Sequence, residues 1–534
     1  GERQGRHALL GAQPAIEVIV RADERGHGVE IVDHRGGEVE GASAAGAGDR
    51  AAPGGEALVS DASRELLEAE QEEDNPLFIP RAITRRFRLV LPPARSRRDA
   101  LPATFLCGWV GFAAYDTVRY AEPEKLALEH APPDDRNLPD LHFAFYDGVV
   151  IFDHVDKLVH LVQAALVSPG ADAGAAYDRA ERALRARAEA VQRHSRPLPA
   201  GELDSEAGPA KALPSNVTRA QHAAMVAKAK EYIAAGDIFQ VVLGQRFERA
   251  SSADPFDVYR ALRVVNPSPY MVYLQAEGCI LIASSPEILC RVRATTGAGA
   301  AGPGGASSAA RVLTNRPLAG TRRRGVTPEE DAALERELLA DPKERAEHIM
   351  LVDLGRNDVG SVCQPGSVAT PALMEVERYS HVMHISSTVT GELREGLDCW
   401  DALSATLPVG TISGAPKIRA MQIIDELEPV RRGPYGGGVG YVGLDGNMDI
   451  ALALRTMVAP TALRQEASAG GGAGPTWTYH LQAAGGIVAD SDPDAEYQET
   501  VSKAAALARA IDVAERAFSA SEPVTAPPAP PAGR

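Results

Sequence analysis

Residues 142–166 read HFAFYDGVVIFDHVDKLVHLVQAAL and decide how the chain is expected to fold. Apolar and polar side chains alternate along this stretch, as is typical of β-strands. Asp147-Gly148 interrupts the alternation, and this dipeptide predicts a tight turn between the two antiparallel strands of a hairpin. A charged helix is predicted next, at about 176–194. The stretch therefore indicates antiparallel sheet with a helix beside it.

The same mixture of strands and helices continues on either side. Residues 14–34 read as two β-rich runs joined by a turn, and a periodic helix is expected to begin after Thr218 and to stop at Gly236. Further strand candidates recur at 238–247, 270–276, 279–284, 287–293, 437–444, 449–458 and 476–488. Strand pairs that alternate with helices predict a large α+β domain rather than a βαβ series.

Shifts in composition divide the chain into segments. A Pro/Gly-rich linker at 196–214 is predicted to separate an N-terminal region, 1–195, from a second region, 215–510. Residues 511–534 are predicted to be a helix end and a disordered Pro/Ala-rich tail. Stretches expected to form loops lie at 40–57, 294–310 and 464–475.

The chain has 534 residues, of which 45% are hydrophobic and 24% charged, as is ordinary for a soluble globular protein. Its formal net charge of −17 argues against non-specific binding to nucleic acid or to an anionic membrane, both of which favour positive charge. No apolar run is long enough for a transmembrane helix. The five cysteines form no CxxC pair, which favours a reducing compartment. Because Gly1 is followed by no apolar signal core, we expect a trimmed chain whose targeting segment, if any, is missing.

Two Glu-x-x-Glu units provide the first candidate site. Glu344 and Glu347 lie in DPKERAEHIMLVDLGRND, and Glu496 and Glu499 lie in DPDAEYQETVSKAAALARAI. Both segments look helical, so this spacing places each pair on one face with Cβ atoms ~5–6 Å apart. Such a pair is most often a solvated acidic helix face. If all four carboxylates are partly buried together, however, they need shared protons or a cation, and oxygen ligands of this kind suit Mg²⁺.

Glycine-rich strings form a second group, which comprises PLAGTRRRG (317–325), LPVGTISGAPK (407–417), GPYGGGVGYVG (433–443) and QAAGGIVADSD (482–492). Small residues let the backbone approach a ligand closely, although ordinary turns and bulges are an alternative explanation. None of the strings matches a phosphate-binding loop or a dinucleotide-binding fingerprint. Two isolated groups, Glu287 and His384, are compatible with a surface glutamate and a core histidine, and their local patterns assign them no role.

These pieces, in this order, resemble the chorismate-utilising enzymes, and most closely the large subunits of anthranilate synthases. The strings that carry the resemblance are GDIFQVVLGQRF (236–247), NPSPYM (266–271), ASSPE (283–287), RPLAGTRRRG (316–325), AEHIMLVDLGRNDVG (346–360), GTISGAPKIRAMQIIDELEP (410–429), YGGGVGYVG (435–443), MDIALALRTMV (448–458) and IVADSDPDAEYQET (487–500). They cover about 216–508 in unbroken order, and colinear strings of this length are highly specific. The earlier part of the chain resembles plant and algal plastid forms. The expected location is therefore the plastid stroma, with the cytoplasm as the alternative.

The resemblance implies a fold and a reaction. The fold is α+β, a four-layer α/β/β/α sandwich of two packed antiparallel sheets. The reaction converts chorismate and ammonia to anthranilate and pyruvate with Mg²⁺ as cofactor, and it is the first committed step towards tryptophan. In the family, a separate glutamine amidotransferase subunit supplies the ammonia. The five cysteines lie in no Gly-x-Cys-x-Gly motif, so this chain is expected to lack glutaminase activity itself.

Matching the family pattern position by position implies which residues bind. Glu347 and Glu499 correspond to metal ligands, with Glu344 and Glu496 beside them. Arg455 would clamp a carboxylate of chorismate with two parallel hydrogen bonds. The positions that correspond to chorismate contacts are Gly320, Thr321, Tyr435, Arg455, Ala484, Gly485, Gly486 and Lys503.

The same match implies which residues carry the chemistry. Glu287 corresponds to the residue proposed to protonate the departing hydroxyl, which requires a raised pKa. His384 corresponds to the residue thought to assist the later elimination of pyruvate, and Thr411 lies near the leaving enolpyruvyl group.

Two positions separate the activities of the family. Members that add water carry a lysine base where this chain has Gln240, and an amide cannot activate water. Aminodeoxychorismate synthases typically carry a nucleophilic lysine where this chain has Ala319. Both positions favour direct addition of ammonia. The alternatives are an aminodeoxychorismate synthase for folate, and a catalytically silent scaffold for the amidotransferase.

Two departures from the family pattern carry expectations of their own. The usual QAGAG string is QAAGG at 482–486, for which a modest effect is expected. The family's Leu-Leu-Glu-Ser segment, whose serine contacts the inhibitor tryptophan, does not precede GRHALLGAQP. Pro269, Tyr270 and Met271 are then what remains of the tryptophan pocket. We therefore expect weakened feedback inhibition, measured as activity against added tryptophan.

Overall fold

The computed structural model describes residues 6–23, 26–34, 75–91, 101–167, 170–193, 213–295, 310–379, 382–466 and 475–518. The strands are β1 (His7–Leu10), β2 (Ile16–Asp23), β3 (Gly26–Asp33), β4 (Gly108–Ala113), β5 (Leu141–Tyr146), β6 (Gly148–Asp153), β7 (Leu158–Gln163), β8 (Gln240–Ser251), β9 (Tyr270–Ala276), β10 (Cys279–Ser285), β11 (Ile288–Ala294), β12 (Arg311–Arg316), β13 (Leu318–Arg323), β14 (Ala369–Arg378), β15 (Val382–Glu392), β16 (Gly414–Ala415), β17 (Gly438–Gly443), β18 (Met448–Leu452), β19 (Thr456–Pro460) and β20 (Trp477–Ile487). The helices are α1 (Ile79–Thr84), α2 (Val118–Ala121), α3 (Ala173–Gln192), α4 (Arg219–Ala235), α5 (Pro255–Val265), α6 (Pro328–Ala340), α7 (Pro342–Val362), α8 (Cys399–Thr406), α9 (Lys417–Leu427) and α10 (Pro493–Phe518).

Two large antiparallel sheets organise the chain. The larger has eleven strands in the order β13-β15-β12-β11-β18-β17-β4-β5-β2-β3, with β14 paired to β15. The second has six strands in the order β16-β8-β20-β19-β10-β9, and β1, β6 and β7 form a smaller sheet. Because β4 pairs directly with β17, the eleven-stranded sheet is continuous between the N-terminal and second regions. The proposed division into regions stays a prediction about segments of the chain.

The two large sheets pack face to face, with helices outside. Phe112 of β4 and Val439 of β17 form one buried cluster with Leu281 of β10 and Val458 of β19. Helices α5 and α10 pack on the outer face of the six-stranded sheet, and α7 and α8 pack against β15 and β11 of the other. This order of helix, sheet, sheet and helix confirms the expected four-layer α/β/β/α sandwich.

The hairpin predicted at Asp147-Gly148 is wrong. The two residues do separate β5 from β6, but β5 pairs with β2 and β4, whereas β6 pairs with β1 and β7. The chain therefore passes from one sheet to another at Asp147, whose carbonyl accepts a hydrogen bond from Ala164 N at 2.6 Å. The tight connection lies between β6 and β7, where Lys157 has a φ of +57°. Alternating side chains marked the strands correctly, but residues far away in sequence decide their partners.

The single strand predicted at 449–458 is two strands in different sheets. β18 pairs with β11 and β17, whereas β19 pairs with β10 and β20. Between them, Arg455 has a φ of +47°, which lies outside the β region and ends the first strand. The break brings the Arg455 side chain to the junction of the two sheets.

Most helix signals in the sequence correspond to observed ends. Thr218 and Gln221 form a reciprocal capping box at the start of α4, and Gly236 ends it with a φ of +84°. Of the other predictions, the loop at 40–57, residues 196–212 of the linker, most of both hairpin insertions and the tail from 519 lie outside the described residues. Within the described ranges, no helix combines the length and apolar character needed to cross a membrane.

Candidate functional site

A neutral histidine lies where β13 and β15 pair. Thr321 and His384 are directly opposite in the register, and His384 Nδ1 lies 3.0 Å from Thr321 Oγ1 and 3.0 Å from the Gly320 carbonyl oxygen. Burial and the nearby charge of Arg455 lower the pKa of His384 to about 4, so the ring is neutral near pH 7. Because a carbonyl can only accept, Nδ1 carries the ring proton and Nε2 carries the lone pair.

Arg455 presents a buried cation beside this lone pair. Its Nη2 lies 3.4 Å from His384 Nε2. The influences on its pKa are burial, which lowers it, and Tyr379, which raises it. In the part of the chain that the structure describes, no carboxylate lies within ion-pair distance of this guanidinium. A buried guanidinium without a carboxylate partner suits a ligand that brings one.

Glu287 provides a buried acid. It lies between β10 and β11, where 2% of its surface is exposed, although its local pattern had been compatible with a surface residue. Burial raises its pKa to about 8, against the opposing effects of the Thr411 hydroxyl and the Leu318 backbone amide. Thr411 Oγ1 donates to Glu287 Oε1 at 2.8 Å. The carboxyl group is therefore mostly protonated at neutral pH and can donate a proton.

The expected backbone contacts, Ala484, Gly485 and Gly486, lie on β20. The Ala484 backbone N–H donates to the Tyr435 hydroxyl, whose pKa burial raises, and Lys503 Nζ donates to the Ala484 carbonyl at 2.8 Å. Gly485 lies close to an acidic side chain, because an added Cβ would be 3.2 Å from Glu496 Oε2. We call the backbone of Ala484, Gly485 and Gly486 the backbone cradle. It lies directly beside the acidic cluster.

The four glutamates of the two Glu-x-x-Glu units lie on α7 and α10, as predicted. Glu344 and Glu499 each have a cationic partner, because Glu344 Oε1 lies 3.1 Å from Arg322 Nη1 and Glu499 Oε1 lies 2.7 Å from Lys503 Nζ. Glu347 and Glu496 are crowded by other carboxylates. Burial and the neighbouring carboxylates of Glu344 and Glu496 raise the pKa of Glu347 to about 7, and burial and Glu499 raise that of Glu496.

This crowding bears on whether a cation fits. Among the described residues, no three His, Cys, Asp or Glu side chains converge closely enough to enclose a metal ion by themselves. Mg²⁺, however, commonly takes one or two carboxylates and fills its other positions with water and ligand oxygens. A cation between Glu347 and Glu496 would relieve the repulsion that, together with burial, raises the pKa of Glu347. The cluster therefore fits an open magnesium site completed by a bound ligand.

The residues assigned to tryptophan binding lie apart from this cluster. Pro269 is exposed, Tyr270 begins β9, and Met271 packs beside the core under α5 and α10. The Tyr270 hydroxyl donates to Asp449 Oδ1 at 2.8 Å and accepts from Arg291 Nη2 at 2.6 Å. The structure thus shows a polar network around Tyr270, and its regulatory role stays a prediction.

Two residues near the site were not found from the sequence. The Tyr379 ring lies 5.7 Å from the His384 ring, and its hydroxyl donates to Glu377 at 2.8 Å. Arg322 bonds Glu344 and also Asp341 at 2.8 Å, so it joins β13 to the start of α7. Arg322 lies inside the quoted string PLAGTRRRG, but neither this string nor the sequence around Tyr379 shows which neighbours of a key residue face the site.

Gly320→Ala is expected to lower the free energy of unfolding more than the same substitution at a left-handed glycine that is surrounded by open space. Gly320 has a φ of +67°, and an added Cβ would lie 3.1 Å from Glu344 Oε2 and 3.1 Å from Leu338 Cδ1. Gly396→Ala is the matched control, because Gly396 has a φ of +85° with no heavy atom within 4 Å. The dihedral alone costs about 1–2 kcal/mol of unfolding free energy in each variant. Equal losses in urea denaturation would show that the contacts at Gly320 are unimportant.

Comparisons with known proteins agree with this geometry. The model of a family described as chorismate binding enzyme matches residues 49–509. The chain is 49% identical over 524 residues to anthranilate synthase alpha subunit 1, chloroplastic, of Oryza sativa subsp. indica, covering 97% of this chain and 81% of the relative. It is 48% identical over 521 residues to the subunit of the same name from Arabidopsis thaliana, covering 96% of this chain and 78% of the relative.

A solved structure shows the same relationship. The crystal structure of anthranilate synthase component I from Streptococcus pneumoniae TIGR4 is 30% identical, with a TM-score of 0.67 over 94% of this chain and 92% of that one. The family match spans most of the chain, and both plant relatives exceed 45% identity over nearly its full length. The chain therefore belongs to the chorismate binding enzyme family.

Proposed function

We propose that this chain converts chorismate and ammonia to anthranilate and pyruvate. The observation that carries the proposal is a buried Arg455 that has no carboxylate partner among the described residues and lies beside the neutral ring of His384. Chorismate carries two carboxylates, a hydroxyl that leaves poorly and an enolpyruvyl group. The site offers a cation for a carboxylate, an acid for the hydroxyl and a base for the later step. The names of the two plant relatives support the same activity.

Binding is assigned to Arg455 and the backbone of β20. The Arg455 guanidinium would hold one carboxylate through two parallel N–H donors, with Thr321 close to His384 on the same side. Because Gly485 and Gly486 carry no Cβ, Glu496 Oε2 and Gln240 Nε2 can lie close to the backbone at this end of β20. Tyr435 fixes this end of β20 through its bond to the Ala484 amide, and Lys503 adds a second cation.

The metal is assigned to the acidic cluster. Glu347 and Glu499 would hold Mg²⁺, with Glu344 and Glu496 beside them. When bound, Mg²⁺ would withdraw charge from the ring carboxylate and favour addition of the amine at the adjacent carbon. The raised pKa of Glu347 supports this assignment, because burial and the nearby carboxylates of Glu344 and Glu496 outweigh the opposing charge of Lys343, whose Nζ lies 4.0 Å from Glu347 Oε1.

Two buried groups are assigned to proton transfer. Glu287 gives its proton to the departing hydroxyl, so that water leaves rather than hydroxide, and the Thr411 hydroxyl holds Oε1 in place. The neutral His384 ring takes up at Nε2 the ring-carbon proton that is lost as the enolpyruvyl C–O bond breaks, and that proton is returned to the enolpyruvyl methylene carbon to give pyruvate. The Gly320 carbonyl keeps the ring oriented through Nδ1–H. The two groups have pKa values on opposite sides of 7, as expected for an acid and a base that act at the same pH.

Ammonia is assigned as the nucleophile from two positions. Gln240 is buried, and its Nε2 lies 2.5 Å from where a Cβ on Gly486 would be, so an amide occupies the place of the water-activating lysine beside the cradle. Ala319 carries no nucleophile. A glutamine amidotransferase subunit is the proposed source of ammonia, and the chloroplastic relatives support a location in the plastid.

One experiment tests this assignment. Purified chain is incubated with chorismate, ammonium and Mg²⁺, and the aromatic product is identified by fluorescence and mass. Anthranilate with stoichiometric pyruvate is expected. An aminated chorismate that retains its enolpyruvyl group, or the 4-amino isomer formed with an added lyase, would identify a folate-type synthase. No product under any of these conditions would support a silent scaffold.

Arg455→Lys is expected to raise the KM for chorismate by about 10–100-fold, because one ammonium cannot reproduce two parallel hydrogen bonds to a carboxylate. Steady-state kinetics with chorismate varied at saturating ammonium measures this. The control is Arg311→Lys, because the Arg311 guanidinium donates to the Asp445 carbonyl at 3.0 Å, and Asp445 is not a predicted site residue. An unchanged KM in Arg455→Lys would contradict the clamp.

A further inference from the structure

Strand β8 has an edge that its neighbouring strand does not cover. β16 pairs only with Gln240 and Val241. Farther along, Val242 N still bonds Ser413 O at 2.9 Å. In the described ranges, however, the Val242 carbonyl and the Gly244 amide have no strand partner on this edge. Unpaired backbone groups in a buried position are costly. Something other than a strand must satisfy them.

An ion pair takes the place of the missing strand. Arg432 Nη2 donates to the Val242 carbonyl at 2.7 Å, and the Gly244 amide donates to Glu428 Oε1 at 2.8 Å. The two side chains bond each other twice, through Arg432 Nε to Glu428 Oε2 at 2.9 Å and Nη2 to Oε1 at 2.5 Å. Their exposures are 2% for Arg432 and 6% for Glu428. The guanidinium also lies over the Tyr115 ring, 4.6 Å from its centroid.

The same guanidinium reaches the turn that carries Thr411. Arg432 Nη1 donates to the Ile412 carbonyl at 2.6 Å. Thr411, the preceding residue, bonds Glu287. Each branch of the guanidinium therefore has its own target, with Nη1 on the Thr411 turn and Nη2 on β8.

The opposite edge of β8 carries the backbone cradle. Gly244 pairs with Ala484 in the ladder between β8 and β20, and Val242 pairs with Gly486. A shift of β8 at these two residues is thus transmitted to the assigned chorismate contacts. The ion pair therefore bonds both the residue that follows Thr411 and the strand that pairs with β20.

We propose that Arg432 and Glu428 are positioning residues, which hold the Thr411 turn and β8 in the relative position that the reaction at Glu287 requires. The inference rests on the proposed function, and neither side chain contacts the reacting atoms. A fork of five N–H donors can serve three acceptors at once, which a lysine ammonium cannot do in the same planar geometry.

Arg432→Lys tests the proposal. It retains the charge but cannot reach Ile412, Val242 and Glu428 together. We expect kcat to fall about 100-fold, as for a misplacement of about 1 Å at a reacting centre, with a smaller change in the KM for chorismate. Because the Thr411 hydrogen bond lowers the pKa of Glu287, its loosening should also move the alkaline limb of the pH profile to higher pH. The groups that influence this pKa are the Thr411 hydroxyl and the Leu318 amide.

A matched variant separates positioning from stability. Arg249→Lys changes another partly buried guanidinium on β8, which bonds Asp512 at 2.7 Å and Glu515 at 3.1 Å on α10. It should lower the thermal midpoint without moving kcat or the pH limb. If Arg432→Lys behaves in the same way as Arg249→Lys, the positioning role is wrong and the pair is purely structural.

Two further measurements cover other outcomes. If Arg432→Lys does not fold, we measure kcat, the KM for chorismate and the alkaline limb in Glu428→Gln. This variant keeps the shape of the side chain and one acceptor oxygen. Wild-type values in Glu428→Gln would overturn the proposal. The Glu287 pKa is also measured without any reaction, from the difference in unfolding free energy between each protein and its Glu287→Gln counterpart across pH 5–9. A raised pKa in the Arg432 variant supports positioning even if no product forms, whereas an unchanged one contradicts it.

Discussion

Glu287→Gln is expected to lower kcat about 10³-fold and to abolish the alkaline limb of the pH profile. The amide keeps the shape of the side chain and an oxygen that accepts from Thr411, but it has no proton to give to the departing hydroxyl. In the wild-type chain the buried carboxyl has a pKa of about 8, so activity should fall as pH rises through that value. Initial rates with saturating chorismate and ammonium between pH 6 and about 9.5 measure the effect.

The same substitution has a predictable effect on stability. Burial raises the folded pKa of Glu287 from 4.5 to about 8, so the folded state holds a proton that the unfolded state releases. The wild-type chain should therefore lose stability relative to Glu287→Gln as pH rises from about 4.5 to about 8, and no further above that. Denaturant unfolding at a series of pH values measures this difference.

Thr411→Val is the control that tests whether Glu287 causes the alkaline limb of the pH profile. Its hydroxyl bond favours the charged carboxylate, so removing it should raise the pKa of Glu287 and move the limb upwards. If Glu287→Gln retained an alkaline limb near pH 8, another group would be responsible and the assignment of Glu287 as the acid would fail.

Local patterns predicted the elements of this fold well because the causes are local. The boundaries of α4 follow from the cap at Thr218 and the left-handed glycine at 236, both of which a sequence shows directly. Which strands pair is not a local property. The dipeptide Asp147-Gly148 has the composition of a hairpin turn, yet it connects strands in two different sheets, since the partners of β5 lie on β2 and β4.

The site was harder to predict from the sequence than the fold was. Glu287 and His384 had patterns typical of a surface glutamate and a core histidine, and burial, which sets both pKa values, follows from packing across sheets. The two Glu-x-x-Glu spacings predicted pairs on a helix face but not that the helices meet. Resemblance to a family supplied that grouping. Arg432 and Glu428 show the remaining limit, because nothing in GPYGGG or its neighbours indicates that β8 lacks a strand partner there.

Glu347→Gln is expected to raise the Mg²⁺ concentration for half-maximal activity by at least about 10–100-fold, the range seen even for residues that only support a metal ligand. The substitution removes one negative charge from a crowded group whose pKa is raised to about 7, so it should leave the fold intact or stabilise it while it weakens the cation site. Glu499→Ala, at the other assigned ligand, should abolish product formation.

A direct measurement of Mg²⁺ binding distinguishes a magnesium site at Glu347 from a solvated acidic helix face. Calorimetric titration of Mg²⁺ into the chain, with and without chorismate, is expected to show that the ligand tightens metal binding, because the protein's own side chains do not enclose an ion among the described residues. Asp353→Asn removes an acidic side chain that is 79% exposed on the same helix, and it should change neither the affinity nor the activity. If Glu347→Gln and Asp353→Asn gave the same Mg²⁺ affinity as the wild-type chain, the crowding of Glu347 and Glu496 would have to be relieved by shared protons. The carboxylates would then act on the reaction without a metal, and the rate would not depend on added Mg²⁺.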